Sequence, residues 1–124
     1  MGDFKRLLVW QKAHMMAVHA HQVSGRIRGS VHVSLRNQLV RAAMSVPANI
    51  VEGRSQKSER YFGRFLGYAI GSLSELEFHL MIGHDVGAIG DADYLGLRSE
   101  VIEIRKMTYT LIKRLSPTAE SSKG

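Results

Sequence analysis

Apolar residues recur at intervals of three and four along almost the whole chain. Trp10, Ala13, Ala17 and Ala20 do so first, and the spacing predicts a helix over about residues 8–25, because such positions share one helix face. Leu35, Leu39, Ala42, Val46 and Ile50 make a second stripe, with Ser34 placed to cap its start and Gly53 its end. Pro47 falls inside this helix and is expected to bend it, since it removes a backbone hydrogen bond and crowds the preceding turn. The third stripe is the longest: Phe62, Phe65, Leu66, Ala69, Leu73, Leu76 and Leu80 predict a helix from near Ser58 to about Val86. Gly87 and Gly90 end it, and Asp91 is the expected cap of a fourth helix. There Tyr94, Leu97, Val101, Ile104, Thr108, Leu111 and Leu115 alternate three and four like the seam of a bundle.

No segment alternates with the period of a strand, and there is no internal repeat or linker. Four helices with short connections predict an all-α, antiparallel up-and-down four-helix bundle. A single domain over residues 1–116 is expected, stopped by Ser116-Pro117 and followed by a flexible polar tail at 117–124. One row breaks the helical grammar. Gly63, Gly67, Gly71 and Ser74 share a face of the third helix, and each glycine costs about 1 kcal/mol relative to alanine. A second helix crossing closely there, through Ala42 and Ala43, is the expected reason.

Composition narrows the function. At 124 residues and 44% hydrophobic, the chain has material for one core, and with no cysteine it has neither disulfides nor thiolate metal sites. No apolar run approaches the roughly 20 residues that span a bilayer, and the opening MGDFKRLLVW has no secretory leader, so a cytoplasmic location is expected. Lys and Arg number 17 against 11 acidic residues, a formal charge of +6. Such a balance draws a small domain toward polyanions.

Candidate chemistry centres on the second helix. Arg41, Ser45, Asn49 and Glu52 share one of its faces, although asparagine and proline weaken helices. No phosphate-cradling loop or dinucleotide fingerprint is present, and Lys57-Ser58 lacks the upstream glycine of a P-loop. Glu75, Glu77 and His79 do not have the spacing of a di-metal bundle site, and no histidine lies in the second helix to activate Ser45. His14 and His21 share a face suited to solvent or a subunit contact. Ser45-Val46-Pro47 does not have the glycine turn of a helix-turn-helix. Ser45, Asn49, Glu52 and Glu75 are therefore expected to form a structural polar network, a clasp between helices. Arg36, Arg41, Arg54, Lys57, Arg60 and Arg64 are the expected phosphate contacts, with no cofactor, metal or catalytic group.

Several of these residues form a specific pattern. Phe4, Leu7 and Val9-Trp10-Gln11-Lys12-Ala13 open the chain. Gln38, Arg41-Ala42, Ser45-Val46-Pro47, Asn49-Ile50 and Glu52-Gly53 follow, and then Phe65-Leu66, Ala69, Gly71-Ser72 and Glu75-Leu76. Over about residues 4–115 the chain resembles the four-helix bundle family first noticed as reading frames in intervening sequences of bacterial 23S ribosomal RNA genes. That family includes the accessory variability protein of diversity-generating retroelements. The resemblance implies an up-and-down bundle assembled into a ring, typically a homopentamer, with no known enzymatic activity. In the retroelement branch it implies a basic ring that binds nucleic acid and a reverse transcriptase. The first loop, GRIRGSVHV, replaces the more usual acidic and aromatic turn and is unusually basic. The expected function is a non-enzymatic, oligomeric binder of RNA or DNA. The alternatives are a protein–protein adaptor for a partner such as a reverse transcriptase, and an enzyme built on Glu52, Glu75 and a histidine.

Overall fold

A computed structural model describes residues 3–115, most of them in four helices: α1 (Leu8–Arg26), α2 (Val33–Arg54), α3 (Glu59–Asp85) and α4 (Asp91–Leu115). The expected stop at Ser116-Pro117 and the tail beyond it lie outside the described residues. Each helix packs on its neighbours in sequence, most extensively α2 on α3, and α1 closes against α4. The chain is an all-α, antiparallel up-and-down four-helix bundle.

The four apolar stripes meet in one core. Phe62, Met16, Leu39, Ile50, Leu66 and Leu73 are among its fully buried side chains, each contributing roughly 1.5–3 kcal/mol relative to exposure. Leu97, Val101, Ile104 and Thr108 bring the α4 seam into it, and the Thr108 hydroxyl is satisfied by donating to the Ile104 carbonyl at 2.7 Å. Trp10 packs at its margin, only partly buried, and Phe65 is half-buried against Gly53 of α2. Helix α2 continues through Pro47. Two residues before it, Ser45 Oγ donates to the Ala42 carbonyl at 2.8 Å.

Helix ends follow local chemistry. Ser58 caps α3, its hydroxyl accepting from the Tyr61 N–H at 3.2 Å. At the other end Gly87 takes a φ of 77°, and its N–H reaches the His84 carbonyl while the Ala88 N–H reaches that of Gly83 at 2.8 Å. This is the Schellman arrangement, in which a left-handed glycine lets the chain turn back on the last helical carbonyls. Ile89 then packs directly over Gly83, in the space a Cβ would need. His84 stacks on Tyr94 with ring centroids 4.3 Å apart, and its Nε2 lies 2.7 Å from Asp91 Oδ1. Asp91 is thus tied to α3 within the first turn of α4. At α2 a short 3-10 turn, Ser30–His32, leads into the helix, so Ser34 lies inside the first turn instead of capping it.

The glycine row is not where helices cross. A Cβ at Gly63, Gly67 or Gly71 would meet nothing within 4 Å, while Ala42 and Ala43 are buried elsewhere in the core. The row points outward, because the apolar stripe of α3 already occupies the core-facing side. The close α2–α3 approach is at Gly53, where a Cβ would lie 2.7 Å from Phe65 Cβ. Gly53 is still helical, and α2 ends one residue later. Its small size serves packing, not capping.

Candidate nucleic-acid interface

Charge is divided unevenly between the two hairpins. Residues 4–51, spanning α1 and nearly all of α2, hold seven Lys and Arg and not one Asp or Glu. Residues 52–115 hold nine of each. The excess positive charge therefore belongs to the first hairpin, and its acid partners must come from elsewhere. Helix α4 supplies three. Lys12 Nζ lies 3.0 Å from Glu103, His19 Nδ1 lies 2.5 Å from Glu100, and Arg26 bonds Asp93 through both Nε and Nη2. The α1 residues are seven apart, and their partners descend α4, as antiparallel helices require. Arg26 donates to Asp93 and thereby holds its carboxyl below the usual carboxylate range, with the guanidinium charge acting in the same direction.

Outside that ladder the first hairpin presents an acid-free surface. A groove of about 440 Å³ between α1 and α2 is lined by His14, Val18, His21, Gln22, Met44 and Pro47. It continues into one of about 570 Å³ beside Asn37 and Arg41, with His21 and Met44 shared by both. Arg41 is exposed on α2, and Arg28 is exposed in the connecting loop. Neither pairs with an acid among the described residues.

The six expected phosphate contacts do not form one patch. Thirteen residues separate Arg41 from Arg54, about 20 Å of helix. Arg36 is half-buried and directed inward: its Nη1 donates to the Ile27 carbonyl at 3.2 Å and the Gly29 carbonyl at 3.0 Å, closing the basic loop. Arg54 is half-buried, its guanidinium 5.5 Å from the Phe62 ring centre. These two residues hold the fold. Lys57, Arg60 and Arg64 are exposed where α2 hands over to α3, with Arg64 lying 5.5 Å from the ring centre of Tyr61.

The expected polar clasp does not close within the chain. Asn49 Nδ2 donates to the Ser45 carbonyl at 2.8 Å, and Ser45 to Ala42, so both are satisfied inside α2. Glu52 is exposed and Glu75 has a side chain 60% exposed. Their levels explain the separation. Gly53 abuts Phe65, and Glu75 lies ten residues, about 15 Å, farther along α3. Glu75 instead approaches His79, four residues on, at 3.8 Å. Among the described residues no three His, Asp or Glu gather as a metal-binding group. No helix among the described residues is long and apolar enough to cross a membrane.

The α1–α4 ladder went unread in the sequence, although the spacing of Lys12, His19 and Arg26 was there to be matched against the acids of α4. The acid-free run was equally countable. Comparison with known proteins agrees with the architecture. A crystal structure of a protein of unknown function from the S23 ribosomal protein family of Bacteroides thetaiotaomicron VPI-5482 superposes with a TM-score of 0.80 at 23% identity. It covers 86% of this chain and 99% of the other. No curated protein matches significantly. The family model described as 23S rRNA-intervening sequence protein matches residues 5–110, nearly the whole bundle, and the chain therefore belongs to that family.

Proposed function

We propose that the chain is a non-enzymatic, oligomeric nucleic-acid-binding bundle. The observation that carries this reading is the charge partition: seven cations and no acid across residues 4–51. Arg28 and Arg41 on that surface, with Lys57, Arg60 and Arg64 at the α2–α3 turn, make the phosphate contacts. Arg36 and Arg54 hold the scaffold beneath them. Self-association multiplies the field, and a pentamer would carry about +30. Contacts of this kind neutralise phosphates and release counterions, so they give affinity without base readout.

Labelled single-stranded and double-stranded RNA and DNA test the reading directly. Binding is expected at roughly 50 mM salt and should weaken steeply as salt rises. No measurable affinity at that salt overturns the nucleic-acid reading. It would leave the adaptor alternative, in which an acidic protein partner such as a reverse transcriptase takes the same surface.

A further inference from the structure

The two grooves of the first hairpin form one channel with an apolar floor. Helices α1 and α2 run antiparallel, and their level is set where the Ser24 hydroxyl donates to the Arg36 carbonyl. His14 and Pro47 therefore line one end, and Gly25, Arg36 and Asn37 the other. Pro47 and Asn37 are ten residues apart, so the channel is about 15 Å long. Val18 and Met44 lie midway along it, 46% and 56% exposed. Among the described residues no Asp or Glu lines either groove. Glu100 lines an adjoining hollow toward α4, where its carboxylate is bonded to His19.

A surface that only gathers phosphates needs cations and no floor. This channel has both. Arg41 lines it, and Arg28 stands in the loop that Arg36 closes at the same end. His14 and His21 add flat rings to the lining. The His14 ring is held by stacking on Trp10, with centroids 5.0 Å apart and 23° between the planes. Gln22 and Asn37 add side-chain amides, each able to donate and to accept. Flat rings, the adaptable Met44 thioether and an apolar floor suit the faces of unpaired bases, and the amides suit their edges. A duplex does not offer those faces, because its bases are stacked and paired inside.

We infer that this channel holds an unpaired stretch of nucleic acid, its bases against His14, His21, Val18 and Met44 and its phosphates at Arg41 and Arg28. The inference rests on the proposed nucleic-acid binding and narrows it to single strands. At a stacked rise of roughly 3.4 Å per nucleotide, a channel of about 15 Å takes about four nucleotides. Charge alone argues for the opposite preference. A duplex carries twice the phosphates of one strand over the same length, so purely electrostatic binding favours the duplex. Preference for the single strand requires that the bases themselves contribute.

The test compares labelled oligouridine and oligodeoxythymidine with RNA and DNA duplexes of the same length. The unmodified chain and a double variant, Val18→Ala with Met44→Ala, are titrated with each. Both side chains are exposed, so the fold should survive. Either strand binding the unmodified chain more tightly than its duplex is the expected result, and the two arms separate RNA from DNA. The double variant should lose about fivefold or more on the single strand, with the salt slope and duplex binding unchanged, because no cation is removed. Photo-crosslinking of an iodouridine-bearing strand to the unmodified chain needs no variant and should mark α1 and α2 along the channel. Duplex binding as tight as that of both single strands, equal loss on both kinds of probe, or crosslinks confined to α3 and α4 overturns the inference and leaves phosphate-driven binding standing. No binding of any probe at roughly 50 mM salt removes the proposed function and the channel reading together.

Discussion

Arg26, at the last turn of α1, grips Asp93 in the first turn of α4 with Nε at 3.1 Å from one carboxylate oxygen and Nη2 at 2.9 Å from the other. It is one rung of three that join α1 to α4, the pair of neighbouring helices with the least packing between them. The folded-state pKa of Asp93 is lowered, chiefly by the hydrogen bond from Arg26. The stability it contributes is therefore present above the ordinary aspartate pKa of about 3.9, and is lost as pH falls through the folded value. Arg26→Gln should return the Asp93 carboxyl toward its ordinary range in an NMR titration. Its stability deficit should be visible near neutral pH and vanish at low pH. An unchanged Asp93 titration would contradict the pairing.

Gly53 and Gly63 should respond oppositely to alanine. At Gly53 a Cβ would press on Phe65 and Phe62, so Gly53→Ala should destabilise by about 1–3 kcal/mol through forced repacking. At Gly63 there is open space, and alanine should stabilise the helix by up to about 1 kcal/mol. Denaturant midpoints of the two variants give the comparison. A shift in the same direction for both would remove the claim that Gly53 is the close contact.

Ile89 is the plug of the α3–α4 turn, buried over Gly83 beside the left-handed Gly87. Ile89→Ala should cost about 2–5 kcal/mol by emptying that space, and hydrogen exchange should rise first at the Ala88 and Ile89 amides, which both bond the Gly83 carbonyl. A loss below about 1 kcal/mol would show that the turn holds without it.

The bundle was legible in the sequence because burial on a helix leaves a period. The stripes of Leu39 to Ile50, Phe62 to Leu80 (Phe65 apart) and Leu97 to Thr108 are core residues in the structure. Orientation was harder. The glycine row of α3 has a helical period too, but period alone does not say which of two faces meets a helix and which meets water. Partners of long polar side chains were harder still. Arg36 and Arg41 are five residues apart and look equivalent as letters, yet one bonds loop carbonyls and the other is exposed. Glu52 and Glu75 could be assigned to one clasp only while their levels along the bundle were unknown.

The central claim is that the acid-free hairpin, not net charge alone, engages nucleic acid. Arg41 on α2 and Arg98 on α4 are both exposed, and reversing either one changes the charge equally. The deciding measurement is the slope of log affinity against log salt for the unmodified chain, Arg41→Glu and Arg98→Glu with one labelled nucleic acid. The account predicts that Arg41→Glu weakens binding and flattens the slope by about 1, while Arg98→Glu leaves the slope near that of the unmodified chain. Equal loss from both variants would contradict it.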